Sequence, residues 1–465
     1  MTMSRMMQQW ALVPIVMIAG CELGVEQLEG GDGADELESG DETDANGDGD
    51  GGDGDGDGDG DGDGDGDGDG DGDGDGEATN ACVVQGTNLG GGSEPLDHPL
   101  PACEVECATG WGHDAPPLDI EWTLDLGHDG PNTGFTHLLR LPDDELVALI
   151  GGSDAPPRMV WISPDGELID ELTQPAIDGY VWDVDVDASG TIYAIWQDDD
   201  VQALSAMSSG GEHLWTVELG PYTAYQSTIA AMEAGVMVAL NPADNFEPGQ
   251  LLRVSAAGGV TSMGPIALTL QIAVSPSGDT VALASTTTIS WTNFDLFPTW
   301  TGTQGVADAQ WVHGLVALDD ETVASVGSAK NWDEQGLPHG YIKQIGQMGL
   351  AWEGRYDRAT AWCGTTEGPT DEVFTGIARL SDGSLFVTGG ESGGSEGTNY
   401  IIQQPIVLHV SADGEVLGTD RGFWPGLAAT AVAGSDGSAF VLMYEFDDSD
   451  PQQGNQHLHV RKYAP

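Results

Sequence analysis

Apolar and polar residues alternate in short runs along most of the chain, and the clearest example is the stretch 180–199. There an apolar run ends at Val186, a polar turn occupies 187–190, and a second apolar run begins at Ile192. Period-two alternation is typical of half-buried strands, and Asp, Ser and Gly favour the backbone dihedral angles of tight turns. The stretch therefore predicts a β-hairpin.

The same strand–turn–strand pattern recurs at a spacing of about 40 residues, which is the length of a four-stranded propeller blade. Seven units follow one another along the chain: 136–174, 180–220, 226–267, 270–304, 311–358, 373–424 and 429–463. The sequence therefore predicts an all-β fold, a seven-bladed β-propeller of four-stranded blades.

The last unit supplies only three strands, and the missing one is available before the first unit. Residues 119–126 match the outer strand of the second unit, because Trp122 and Leu126 have the spacing of Trp215 and Leu219. Pairing this N-terminal strand beside the last strand of the chain would close the ring and leave no exposed sheet edge.

The chain divides into four segments, three of which precede the propeller. They are a targeting segment at 1–20, an acidic tether at 21–80, a join containing cysteine and proline at 81–117, and the propeller at 118–465. The tether alternates Asp and Gly strictly from Asp53 to Gly76. Because glycine maximises backbone entropy and carboxylates repel one another, we expect a disordered spacer.

The targeting segment ends in Ile18-Ala19-Gly20 after a short apolar run, and Cys21 follows directly. This resembles the lipobox of bacterial lipoproteins, and the resemblance implies that Cys21 is acylated and becomes the new amino terminus. The expected location is the cell envelope of a Gram-negative bacterium, at the outer membrane or cell surface, with the bilayer as a partner through Cys21. The alternative is an ordinary cleaved signal peptide with an incidental cysteine.

The tether also invites comparison with calcium sites, since Asp at positions 1, 3 and 5 with Gly at 6 begins an EF-hand loop. Strict alternation then places Gly at position 12, where the bidentate Glu belongs. We expect weak, non-specific calcium association with the Asp-Gly run, no defined metal site and no cofactor. A folded calcium module is the alternative.

Four cysteines remain once Cys21 is acylated, and an even number in an exported chain predicts two disulfides of open connectivity. At least one must join the segment before the propeller to the propeller itself. A zinc site formed by Cys103, Cys107, His98 and His113 is the alternative. The disulfide candidates are Cys82, Cys103, Cys107 and Cys363.

The repeat at 376–390, GIARLSDGSLFVTGG, is similar to delta-60-type propeller repeats, and HLWTVEL at 213–219 resembles the outer strand of quinoprotein-like repeats. The resemblance covers nearly all of 119–465 and implies a propeller. Families with such repeats include scaffolds, binding proteins and dehydrogenases, so the resemblance does not choose among functions.

Composition and motifs narrow the function classes. With 78 acidic and 12 basic residues the net charge is −66, which argues against nucleic acid as a partner. No Ser-His-Asp spacing, His-Glu-x-x-His motif or phosphate-binding glycine loop is recognisable. His457 and His459 share one strand face, where solvated or packing roles are expected. We therefore expect a non-catalytic binding or scaffolding module for a protein or glycan. The alternative is an exported hydrolase or lyase acting on polysaccharide.

One end of the predicted propeller carries the long, irregular loops, whereas the other carries tight turns. Long loops in a compact fold are often functional. The loop-bearing end is therefore predicted to bind the partner, and the tight-turn end to be inert. The candidate binding face consists of Tyr222, Trp332, Asp333, His339, Trp362 and Trp424.

Overall fold

The computed structural model describes part of the N-terminal join and most of the propeller. The described residues are 81–85, 87–88, 102–106, 115–129, 133–152, 156–198, 201–221, 227–233, 235–241, 248–286, 288–293, 300–305, 309–330, 339–356, 360–363, 366–368, 370–393, 400–421, 426–446 and 456–465. The predicted targeting segment, acidic tether and lipidation site at Cys21 lie outside them.

All regular elements among these residues are strands, numbered here in chain order. The join forms β1 (Ala81–Gln85), β2 (Thr87–Asn88) and β3 (Ala102–Glu106), and β4 (Ile120–Asp129) follows. Blade one is β5 (Thr133–Arg140), β6 (Leu146–Gly152), β7 (Arg158–Ile162) and β8 (Leu168–Thr173). Blade two is β9 (Tyr180–Val186), β10 (Ile192–Gln197), β11 (Val201–Met207) and β12 (His213–Pro221). Blade three is β13 (Thr228–Met232), β14 (Gly235–Leu240), β15 (Gly249–Ser255) and β16 (Val260–Ile266).

The second half of the ring repeats this plan. Blade four is β17 (Gln271–Val274), β18 (Thr280–Ala284), β19 (Thr288–Asn293) and β20 (Trp300–Gly305). Blade five is β21 (Ala309–Ala317), β22 (Thr322–Lys330), β23 (His339–Gly346) and β24 (Gly349–Tyr356). A link forms β25 (Thr360–Cys363) and β26 (Thr366–Gly368). Blade six is β27 (Thr370–Arg379), β28 (Leu385–Gly393), β29 (Tyr400–Val410) and β30 (Val416–Arg421). Blade seven is β31 (Gly426–Ala433), β32 (Ala439–Phe446), β33 (Gln456–Tyr463) and β4.

The seven four-stranded antiparallel sheets form a closed ring. The innermost strand of each blade contacts the innermost strand of the next, and β31 of the last blade contacts β5 of the first. Buried apolar side chains in the described part of the chain form seven clusters, each shared by two consecutive blades. The core therefore lies between the blades, as expected when each sheet can bury its faces only on its neighbours. The predicted seven-bladed propeller is confirmed.

Ring closure uses both ends of the domain, as the sequence predicts. Strand β4 pairs antiparallel with β33, so that Trp122 lies opposite Lys462 and Asp125 opposite His459. The ammonium of Lys462 lies 2.8 Å from a carboxylate oxygen of Glu121 on β4, which adds an ion pair across the same two strands. One hydrophobic cluster then joins this composite blade to blade one.

Four tryptophans make the same contact between neighbouring blades. Each indole Nε1 donates a hydrogen bond of 2.7–3.1 Å to a backbone carbonyl in the outer turn of the next blade: Trp122 to Pro164, Trp161 to Ser209, Trp215 to Ala256 and Trp352 to Ala412. Two residues after each carbonyl is a glycine with positive φ, against which the indole packs: Gly166, Gly211, Gly258 and Gly414. A Cβ atom at Gly166 would lie 2.6 Å from the Trp122 ring, so only glycine fits this turn.

The described parts of the join form strands that pair with segments of the propeller domain. Strands β1, β3, β25 and β26 form a separate antiparallel sheet, and β2 pairs with the first residues of β29. The link between blades five and six forms β25 and β26. Just before β4, the chain lies beside β30, the outer strand of blade six, where the Leu118 amide donates a hydrogen bond to the Thr419 carbonyl. Local alternation could not reveal this sheet, because its strands come from segments far apart in sequence.

Candidate functional site

The inner strands of the propeller carry ionisable side chains in place of the expected apolar ones. On β9, Asp183 and Asp185 occupy alternate positions and therefore point to the same face of the blade. Oδ2 of Asp183 accepts hydrogen bonds from the Thr228 hydroxyl at 2.7 Å and from the Ile229 amide at 2.9 Å. Oδ2 of Asp185 accepts one from the Ala231 amide at 2.7 Å.

These carboxylates hydrogen-bond to amide groups that the sheet of a single blade leaves unpaired. The inner strand is a sheet edge, so some of its amide groups have no partner within their own blade. Asp183 and Asp185 of blade two supply acceptors to two such amides on β13 of blade three. Both carboxylates therefore hold two blades together.

The same environment changes their acidity. Burial raises the pKa of Asp183 to about 7, although the hydrogen bonds from Ile229 and Thr228 act in the opposite direction. Burial also raises the pKa of Asp185, against the bonds from Ala231 and Val186. Desolvation disfavours the charged form of a carboxyl group, and here it outweighs the stabilisation by donors.

Two histidines lie on the inner strands of other blades. Burial lowers the pKa of His137 on β5 and of His313 on β21 to about 4, so both imidazoles are neutral at pH 7. The Nε2 atom of His137 is buried and has no hydrogen-bond partner among the described residues. Neutral imidazoles can accept or donate a hydrogen bond, but they add no positive charge.

A cavity of about 320 Å³ lies at the tight-turn end, where the turns of blades six and seven approach the end of β5. Its lining includes two of the few basic residues of the chain, Arg140 and Arg379. Arg140 forms an ion pair of 2.7 Å with Asp144, and the Arg379 guanidinium donates to the Leu318 carbonyl. Among the described residues no carboxylate lies within ion-pair distance of Arg379. The rest of the lining is Leu380, Ser381, Ala433, Gly434 and Ser435.

Most of the predicted binding face cannot be placed. Tyr222, Trp332, Asp333 and Trp424 lie outside the described residues, and Trp362 is placed only by its backbone, in β25. His339 begins β23, and its Nδ1 lies 4.0 Å from a carboxylate oxygen of the buried Glu372. Binding at the loop-bearing end therefore stays a prediction.

The cysteines are placed in part. Cys82 lies in β1, Cys103 in β3 and Cys363 in β25, all within the sheet formed by the join and the link. Cys103 and Cys363 are direct register partners across two antiparallel strands. Cys107 lies outside the described residues, as do His98 and His113 of the zinc alternative. The two predicted disulfides stay predictions.

Sequence reasoning missed Asp183 and Asp185 on β9 and the two arginines of the tight-turn cavity. A signal for the first is present in Trp-Asp-Val-Asp-Val at 182–186, where Asp occupies alternate positions of a strand otherwise expected to be apolar. No local signal marks the second, because Arg140 and Arg379 are brought together only by ring closure.

Comparisons with known proteins assign no family. No family model matches the chain, and no curated protein matches it. Among solved structures it is similar to hydrazine synthase of Kuenenia stuttgartiensis, at 12% identity over 70% of this chain and 96% of that one, with a TM-score of 0.45. It is also similar to the β-propeller domain of Cps50 (Swd1) of Myceliophteria thermophila, at 10% identity over 75% of this chain and 100% of that one, with a TM-score of 0.49. At these values neither neighbour bears on the function of this chain.

Proposed function

We propose that the chain is an exported lipoprotein whose propeller is a non-catalytic binding module at the cell envelope. A lipid on Cys21 anchors it, and the acidic segment 21–80 holds the propeller away from the bilayer. The propeller receives an anionic group of a protein or glycan partner in the cavity at the tight-turn end. The observation that carries this proposal is the pair of guanidinium groups lining that cavity.

The chemistry of the cavity supports an anionic ligand. Guanidinium groups present several donors in a fixed fork that matches carboxylate and phosphate oxygens. Arg140 and Arg379 each use one nitrogen in a contact within the fold, and a guanidinium group has further donors that can reach a ligand. The net charge of −66 repels anions from the chain as a whole. The two guanidinium groups that line the cavity would attract an anion at this one place.

The anchoring part of the proposal rests on Ile18-Ala19-Gly20-Cys21 and on the composition of the tether. In the part of the chain that the structure describes, no helix combines the length and the apolarity needed to cross a bilayer.

An exported enzyme acting on polysaccharide is the second candidate, and Asp183 is the observation that favours it. A carboxyl group with a pKa of about 7 suits a general acid or base. Binding is preferred because Asp183 and Asp185 are already engaged by amide groups of blade three, which gives both a structural role.

The anchor is tested by the mass of the mature protein. We expect loss of residues 1–20 and a diacylglyceryl addition on Cys21, with the protein in the membrane fraction. Cys21→Ser should move the protein to the soluble fraction, because a lipid chain supplies the apolar surface that holds it. An unmodified wild-type chain in the soluble fraction would contradict the anchor.

The cavity is tested with inorganic phosphate and citrate as probes in isothermal titration calorimetry of the whole chain. We expect one binding site per chain, and a loss of affinity of about tenfold or more in Arg140→Ala with Arg379→Ala, since hydrogen bonds to charged groups contribute about 1.5–3 kcal/mol each. Arg253→Ala is the matched control, because Arg253 is exposed on β15 of blade three. Equal losses in both variants would reduce the effect to net charge and refute the site. The pair Trp332→Ala and Trp424→Ala tests the loop-bearing end with the same probes.

A further inference from the structure

Ring closure brings together three side chains that could hold a metal ion. His457 and His459 lie on one face of β33, and Asp125 of β4 is the register partner of His459. Potential ligand atoms of these three residues all lie within 4.8 Å of one another, and His457 Nδ1 is 3.8 Å from Asp125 Oδ1. The two imidazole rings stack with centroids 6.0 Å apart and planes 13° apart. One strand of this cluster precedes the propeller repeats and the other ends the chain.

A fourth residue fixes the orientation of one imidazole. Glu445 of β32 is the register partner of His457, and its Oε2 lies 2.9 Å from Nε2 of His459. Histidines that bind metals usually bond a carboxylate or carbonyl through their other nitrogen, which sets the tautomer and the ring orientation. Glu445 has this relation to His459, which it contacts through Nε2 of the imidazole.

The donor set selects a class of ion. Imidazole nitrogen together with carboxylate oxygen is the ligand combination of Zn²⁺ and related transition metals, whereas Ca²⁺ and Mg²⁺ prefer oxygen alone. Tetrahedral Zn²⁺ with bonds of about 2.0–2.1 Å needs ligand atoms about 3.3 Å apart. The observed separations, 3.8 Å for one pair and at most 4.8 Å for the others, exceed that value by at most about 1.5 Å, a distance that side-chain torsions can close. Asp125 is 57% exposed, His457 27% and His459 14%, so the carboxylate is the side of the cluster that faces solvent.

We propose that Asp125, His457 and His459 form a binding site for a divalent transition metal, represented by Zn²⁺, and that Glu445 positions His459. The bound ion links β4 to β33 and so holds the ring closed. This site differs in chemistry from the Asp-Gly run, whose carboxylates provide only oxygen ligands. The histidine pair, expected from the sequence to be solvated or packed, thereby gains a function.

The test uses the whole chain, freed of metal with a chelator and kept in excess CaCl₂ so that the carboxylates of the tether are occupied. Calorimetry with ZnCl₂ should show one tight site per chain, and saturating Zn²⁺ should raise the melting temperature by about 3–5 °C. Co²⁺ in place of Zn²⁺ should give the visible absorption of a cobalt ion bound by nitrogen and oxygen.

Four variants separate a site from general metal binding. His457→Ala with His459→Ala, and Asp125→Asn alone, should each abolish the tight site and the rise in melting temperature. His213→Ala is the control, because His213 is exposed on β12 and lies within hydrogen-bond distance of the Thr216 hydroxyl in its own strand. Glu445→Gln should weaken Zn²⁺ binding about tenfold while keeping one site. Tight binding that survives in the double variant would overturn the site, and tight binding without a change in melting temperature would overturn its role in ring closure.

Discussion

Replacing Trp122 by aspartate is expected to destabilise the whole propeller by about 3–5 kcal/mol, measured by urea unfolding. The substitution removes the hydrogen bond from Nε1 to the Pro164 carbonyl and the contact with Phe440, whose ring centroid is 5.8 Å away. It also places a carboxylate between blades seven and one. Because these two blades are where the ring closes, the loss should reduce the stability of every blade together.

Two controls distinguish this contact from general damage to β4. Thr123→Asp adds the same charge at an exposed position opposite Arg461, so a change within about 0.5 kcal/mol is expected. Gly166→Ala disturbs the same contact from blade one. It should destabilise the protein, because Gly166 has a positive φ and an added Cβ atom would clash with the Trp122 ring. Gly278→Ala has a similar φ and no atom within 4 Å, so it measures backbone strain alone, about 1–2 kcal/mol. If Trp122→Asp unfolds like wild type, β4 does not close the ring.

Asp183→Asn is expected to flatten the pH dependence of stability. In the unfolded chain this carboxyl group has its ordinary pKa of 3.8, whereas burial raises the pKa to about 7 in the folded protein. Between these values the folded state holds a proton that the unfolded state has released, so this group makes stability fall as pH rises through that window. The full effect is on the order of 2–4 kcal/mol and is complete above about pH 7.

The measurement compares the unfolding free energies of wild type and variant across that window. Wild type should lose stability relative to Asp183→Asn as pH rises from about 4 to about 7. Asp279→Asn, at an exposed turn position, should follow wild type at every pH. A constant difference between wild type and Asp183→Asn would mean that the carboxyl group titrates alike in both states. Asp185 contributes in the same direction, because burial raises its pKa too.

The propeller could be predicted from the sequence because its signals are local. Alternating strands separated by turns such as Asp382-Gly383 define each blade, and Trp122 shows that a strand before the repeats matches an outer strand. The pairing of β3 with β25 could not be predicted, because strands far apart in sequence carry no mark of their partner. The same reason hides the metal-ligand cluster, in which His457 and His459 are visible as a pair but Asp125 joins them only through the register of β4.

The candidate site was harder to predict than the fold, for a physical reason. Loop length drew attention to one end of the propeller, whereas the cavity with Arg140 and Arg379 lies at the other, between turns that look alike in sequence. The net charge of −66 is a property of the whole chain and does not indicate the few positions where guanidinium groups meet.

The order of the strands has a mechanical consequence for a protein held by its amino terminus. Under the proposed anchoring, a pull on the tether reaches β1, β2 and β3 before it reaches β4. Those three strands are hydrogen-bonded to β25 and β29, so they would take up tension first. The Leu118 contact with Thr419 would bear the next share. Under that anchoring, the seam between β4 and β33 would be loaded only after these contacts, so they would protect ring closure from a pull on the tether.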